Sequence, residues 1–169
     1  MIRFVILILI LNVHKGFGQE DIGTSSPVIQ SFKEGEWFQL RLHYGPFNAS
    51  YASFSLERDT LKGNPVFHAR GFGETTGLAR WFFKVEDYYE SFFDEKSIQP
   101  YKFIRNINEG GYTKNIEIDF YHEKRTALVN NKKKNELNEF SIESGVQDLM
   151  SCFYYLRNFY PKNGVKINE

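Results

Sequence analysis

From Glu36 onward the chain alternates. In "EWFQLRLHY" Phe38, Leu40, Leu42 and Tyr44 take the even positions, and Trp37, Gln39, Arg41 and His43 the odd ones. Period two marks a strand with one buried face. Gly45-Pro46 ends it with a turn, and "FNASYASFSLER" (47–58) reads as a second strand rich in small residues. Small side chains on a strand let a neighbouring element or a ligand come close. "VFHARGFGET" (66–75) is a third strand, whose Gly71 and Gly73 share a face and point to a bend.

"TGLARWFFK" carries Leu78, Trp81 and Phe82 at helical spacing, with Thr76 placed to cap. A turn or two of helix is expected here, with Trp81 and Phe82 buried against the sheet and a strand as the alternative. In "VEDYYESFFD" acids and rings fall on both faces. "YKFIRNINE" puts Tyr101, Phe103, Arg105 and Ile107 together, and Gly110-Gly111 signals a tight hairpin. "YTKNIEIDFY" has Tyr112, Ile116, Ile118 and Phe120 on one face against Thr113, Asn115, Glu117 and Asp119 on the other. Two short strands, "KRTALV" and "ELNEFSI", flank a lysine tip, Lys132–Lys134, read as a solvated hairpin end.

A long helix follows. Ser144 and Gln147 have capping-box spacing, Asp148 is placed in the first turn, and Val146, Leu149, Met150, Phe153, Leu156 and Tyr160 form the apolar stripe. Pro161 stops it. The expected fold is α+β and mostly β: a curved antiparallel sheet, a half-barrel or open barrel, with one long helix on its inner face. Val165 and Ile167 start a further alternation just before the last residue, Glu169, which predicts a chain truncated at its C-terminus.

The first residues have a different character. Arg3, then the apolar run Phe4–Leu11, then Gly16-Phe17-Gly18 are in the order of a secretory signal peptide. The run is well short of the ~20 residues that span a bilayer. Residues 1–18 are therefore expected to be cleaved near Gly18, leaving an exported, periplasmic protein with no transmembrane segment. Residues 19–34 read as a flexible leader and 35–169 as a single β-rich domain.

Aromatic residues make up 17% of the 169 positions and formal net charge is zero. The rings favour a pleated surface, and the balanced charge excludes a nucleic-acid footprint. The lone Cys152 forms no internal disulfide and is expected to be a small buried apolar residue. His43, His68 and His122 lack ligand spacing, so neither a metal nor a cofactor is expected.

The order of three segments is informative: "GEWFQLRLHYG", "FKVEDYYESFFDEKSIQPYKFIRNINEGGY" and "VQDLMSCFYYLRN". Across roughly residues 34–164 this order resembles the exported bacterial proteins of the domain of unknown function 3108 family. Its pattern falls here on Gly35 and Glu36; on Asp87, Tyr88, Ser91 and Asp94; on Pro100, Arg105, Glu109 and Gly110; and on Asp148, Ser151, Tyr155 and Arg157. The resemblance implies a curved sheet similar to the half-open barrels of periplasmic lipoprotein carriers. It implies no reaction, and no catalytic residue is assigned.

Asp87, Ser91, Asp94, Pro100, Asp148 and Arg157 are read as structural, holding strand register and a helix cap. Tyr88, Phe92, Arg105, Phe54 and Phe72 are read as lining a site for an apolar or lipid-like ligand. Two other readings stand beside it. One is an envelope assembly protein that pairs with a partner by strand addition. The other is a carboxylate-dependent hydrolase, which requires Asp87, Glu90 or Asp94 to converge with Arg105 or His122.

Overall fold

Two-residue turns fix much of the sheet. Lys62 and Gly63 (φ 52° and 86°), and Gly110 and Gly111 (φ 57° and 91°), have the paired positive φ of primed hairpin turns. The structure, a computed structural model, describes residues 31–158. Eight antiparallel strands follow one another in chain order. They are β1 (Trp37–Tyr44), β2 (Phe47–Leu61), β3 (Asn64–Thr75), β4 (Val85–Asp94), β5 (Pro100–Glu109), β6 (Tyr112–Tyr121), β7 (Thr126–Asn131) and β8 (Glu136–Ser141). The sheet is curved and does not close, so β1 and β8 are its edges. Two helices complete the fold, α1 (Gly77–Phe82) between β3 and β4, and α2 (Leu149–Asn158) after β8.

The β2–β3 hairpin is longer than its sequence suggested. Pairing runs unbroken from Ser50↔Thr75 to Leu61↔Asn64, so the strands expected over 47–58 and 66–75 extend to a two-residue tip at Lys62 and Gly63. Bulges fall instead at Leu42/His43 and at Phe92/Phe93. No bulge falls at the glycines of β3, where pairing to β2 and β4 keeps its register. Gly71 makes room for α2: a Cβ there would lie 3.1 Å from the Met150 sulfur.

α2 lies on the face formed by the odd positions of β3 and β4 and the even positions of β2. The core it closes holds Leu56, Phe67, Ala69, Phe93, Phe103, Met150 and Tyr154. Burial pushes the Tyr154 phenol up to about 12, and its hydroxyl has no partner among the described residues.

Several expectations are corrected here. The helix starts at Leu149, and its cap is Asp148, not the Ser144–Gln147 pair. Its buried face is Met150, Ser151 and Tyr154, while Leu149 (61%) and Leu156 (60%) are exposed. Period 3.6 gives a stripe, but the phase of contact is set by the sheet. Cys152 is half-buried. α1 forms where expected, yet Trp81 and Phe82 are 87% and 89% exposed rather than buried. Thr76 occupies the N-cap position of α1 without a side-chain cap hydrogen bond.

A residue ahead of the first strand also packs on the core. Phe32 is 4% exposed and meets Tyr154, Phe67 and Phe93 edge-on at 5.0, 5.5 and 6.3 Å. The signal-peptide reading, the start of the leader, Tyr160, Pro161 and the Val165–Ile167 alternation lie outside the described residues.

Candidate functional site

The small residues of β2 and β3 leave space beneath the first turn of α2. Ala52, Phe54, Gly71, Gly73 and Tyr89 from the sheet, with Leu149, Met150 and Phe153 from α2, surround a cleft of about 240 Å³ whose wall is almost wholly apolar. A Cβ at Gly73 meets nothing within 4 Å, so this glycine borders open space. On one side Phe153 stacks on Phe54 at 5.6 Å, and Phe54 stacks on Phe38 at 4.8 Å.

Asp148 positions the helix over that space. One carboxylate oxygen accepts the backbone N–H groups of Met150 and Ser151, each at 2.8 Å, satisfying donors that a helix start leaves free. The other accepts the Ser91 hydroxyl at 2.6 Å, tying the cap to the middle of β4. The Asp148 backbone N–H donates in turn to the Ser151 hydroxyl at 3.0 Å. Burial pushes the Asp148 carboxyl up, against the opposing pull of these donors, and it rests above its usual value.

Arg157 fastens the other end. Its guanidinium grips both oxygens of Glu36, donates to the Ser31 carbonyl at 2.9 Å, and lies over the rings of Phe153 and Tyr154. A planar fork meeting a carboxylate this way is strong and directional.

A polar group adjoins the cleft through Tyr89. The Tyr89 hydroxyl donates to Asp87 at 3.5 Å, and the Asn108 backbone N–H donates to the same carboxylate at 3.1 Å. In β5, Arg105 pairs with Tyr89 in register and keeps a buried Nε–H with no partner among the described residues. Burial pushes the Tyr89 phenol up, and the Asp87 charge adds to this. Burial likewise raises the Glu109 carboxyl, reinforced by neighbouring Asp87 and opposed by Arg105.

The raised Glu109 carboxyl has a pH consequence. The folded chain binds more protons than the unfolded one between the ordinary Glu value and the raised one. That contribution is full below the ordinary value and is lost as pH rises through the raised one. Glu109→Gln, which cannot ionise, is expected to flatten the fall in stability across this window. Urea midpoints of the two proteins, compared from mildly acidic to neutral pH, check this. A constant difference between the curves contradicts it.

The opposite face of the sheet has its own chemistry. Trp37, Ser53, Ser55, Arg70, Phe72, Tyr88 and Glu90 border an open hollow of about 220 Å³. Beside it, buried His68 hydrogen-bonds Glu90 at 2.7 Å and stacks on Phe92 at 3.9 Å, while Arg70 donates to Glu57 at 2.7 Å. The sheet thus divides the five residues read as ligand-lining. Phe54 and Arg105 are on the α2 face; Phe72, Tyr88 and Phe92 are on the other, with Phe72 and Tyr88 4.5 Å apart. Strand alternation decides this, because Phe72, Tyr88 and Phe92 occupy the even positions of β3 and β4.

Of the six residues read as structural, Asp94 and Pro100 stand at the β4–β5 turn. Asp94 organises the β4–β5 turn, accepting the backbone N–H groups of Lys96 (2.9 Å) and Ser97 (2.7 Å) and the hydroxyl of Tyr101 (3.3 Å). Burial raises its carboxyl, but these donors prevail and hold it below its usual value. The turn holds buried Ile98 at φ 60°, an unusual conformation for a β-branched residue. Pro100 is fully buried at the bulge, and its carbonyl meets His122 at 2.7 Å.

Of the acids named for hydrolysis, Asp87 adjoins Tyr89 and Arg105, while the other two stand elsewhere. Asp87 is on the α2 face, Glu90 is on the other with His68, and Asp94 is in the turn. Among the described residues no group of three or more His, Cys, Asp or Glu side chains is arranged to hold a metal ion. The pairing of Gly71 with Met150 escaped sequence reasoning because it joins residues far apart in the chain. The cap was within reach, since Asp148 and Ser151 have the spacing of a helix N-terminus.

Residues 39–168 match the model of a family described as protein of unknown function (DUF3108). No curated protein and no solved structure matches the chain.

Proposed function

The chain belongs to the DUF3108 family, described as of unknown function, and on that footing we propose that it is an exported, non-catalytic protein that holds an apolar or lipid-like ligand between its sheet and α2. The apolar cleft of about 240 Å³ carries this reading. Apolar cavities of about 150 Å³ already take up benzene, so an aromatic ring or a short length of acyl chain fits. Ligand sites combine apolar walls with a few convergent polar groups. The Tyr89–Asp87–Arg105 group beside the cleft supplies such groups for a polar end.

Gly73→Leu tests the reading. The new side chain enters open space, so the fold is expected to hold while the cleft fills. The neutral fluorescent probe N-phenyl-1-naphthylamine is expected to brighten with the parent protein and to lose at least tenfold in affinity with the variant. Equal binding by both removes the cleft from consideration. Export with cleavage near Gly18 belongs to the same reading; N-terminal sequencing of the secreted protein should begin at Gln19, and recovery with residues 1–18 attached counts against it.

One observation favours a second reading, strand addition to an envelope partner. β8 is an edge strand exposed at all six residues, Glu136–Ser141, and an exposed edge invites pairing. Photocrosslinkers placed along β8 in the living cell should capture a specific partner; a pattern no different from one placed on the β6–β7 turn removes this reading.

A further inference from the structure

We propose that the α1 end of the sheet docks on a lipid bilayer, with Trp81 and Phe82 inserted at the headgroup level. The antiparallel meander brings α1, the β1–β2 turn, the β5–β6 turn and the β7–β8 turn to one end of the sheet. The two most exposed large apolar side chains among the described residues stand at that end. Trp81 is 87% and Phe82 89% exposed, with Leu78 at 56%, Phe47 at 59% and Tyr112 at 60%. Adjacent exposed rings of this size mark a site of interaction.

The rings stand on an anchored support. The Thr76 N–H donates to the Ala49 carbonyl at 2.9 Å, the Gly110 N–H donates to the Lys84 carbonyl at 2.8 Å, and the Phe83 ring lies against Gly110. α1 is thus pinned to β2 on one side and to the β5–β6 turn on the other, with Trp81 and Phe82 held out between them.

The chemistry favours a bilayer over a protein groove. Trp and Tyr concentrate at the membrane–water interface, where an amphipathic ring meets both phases. Two rings on a protruding six-residue helix offer little of the roughly 800 Å² per partner that a stable protein interface buries. Charge agrees with this. Lys133 and Lys134 in the β7–β8 turn are exposed at the same end, as is Lys84, which pairs with Glu86 at 2.9 Å. Lysines near an anionic surface add attraction that salt screens. Because the bases of α1 are paired locally, the rings dominate and the lysines tune.

The test uses vesicles of phosphatidylcholine, alone or mixed with phosphatidylglycerol, and the chain with Trp37→Phe, which leaves Trp81 as its one tryptophan. Co-sedimentation with the vesicles is expected, together with a blue shift of Trp81 emission and quenching by brominated acyl chains. Phosphatidylglycerol should strengthen binding severalfold, an increment that salt or Lys133→Glu with Lys134→Glu removes. Phe82→Ala should weaken binding about tenfold, and Trp81→Ala with Phe82→Ala should abolish co-sedimentation while leaving the urea midpoint unchanged.

No binding to either vesicle overturns the proposal. So does binding that survives loss of both rings, or vesicle-independent self-association that the double variant abolishes, which makes the occupant of this surface a second copy of the chain. Gly73→Leu is expected to bind vesicles as the parent does, so failure of the cleft and failure of the docking surface are told apart.

Discussion

Asp148→Ala is expected to lower the unfolding free energy by about 2–5 kcal/mol. Loss of a side-chain cap costs about 1–2 kcal/mol. The same change strands the buried Ser91 hydroxyl, which donates to Asp148 at 2.6 Å, and an orphaned buried donor adds about 1–3 kcal/mol. A domain of ordinary stability has only about 5–15 kcal/mol to lose. Two further variants separate the contributions. Asp148→Asn retains an acceptor for the helix N–H groups and should lose much less. Ser91→Ala added to Asp148→Ala should recover part of the loss, because the stranded hydroxyl is gone, so the two changes should be clearly non-additive. Urea unfolding of the parent, Asp148→Ala, Asp148→Asn, Ser91→Ala and the double variant measures this. A loss within about 0.5 kcal/mol for Asp148→Ala, the size of an ordinary surface change, would mean that the cap does not hold α2 to the sheet.

Phe32→Ala is expected to cost about 3–5 kcal/mol, the range for removing a buried phenylalanine ring. The ring precedes the first strand, in a segment whose sequence reads as a loose leader. Its edge-on contacts with Phe67, Phe93 and Tyr154 join β3, β4 and α2 at one point. A chain begun at Gly35 should be at least as damaged, since it also lacks the Ser31 carbonyl that accepts from Arg157 at 2.9 Å. Thermal or urea unfolding of both proteins reports on this, and stability close to the parent's would place the boundary of the domain back at residue 35.

Phe32 also shows why one kind of information is hidden in the sequence. A single ring in a polar stretch has no period, and the period is what marks a buried face. Trp81 and Phe82 are the converse. Their spacing predicts a helix correctly, but periodicity says only which residues share a side. It does not say whether anything covers that side. In α2 the same limit appears as a phase error, because Leu149 and Leu156 belong to the apolar stripe yet are exposed, while Tyr154, outside it, is fully buried. The candidate site was legible in part. The small residues of β2 announced a close approach without naming what approaches. Phe54 and Arg105 share the α2 face, whereas Phe72, Tyr88 and Phe92 are carried to the other by their even positions.

The sequence by itself determined the local order of this protein: its strands, most of its turns, the mostly β character and the family to which it belongs. These follow from interactions between residues close in the chain, namely side-chain alternation along a strand and positive φ at Gly63, Gly110 and Gly111. Tertiary structure alone decided where α2 rests, that Met150 seats on Gly71 and Ser91 on Asp148, and therefore that a cleft exists at all. Those contacts join groups dozens of residues apart, and their geometry is set by close packing across the whole sheet, which no local pattern encodes.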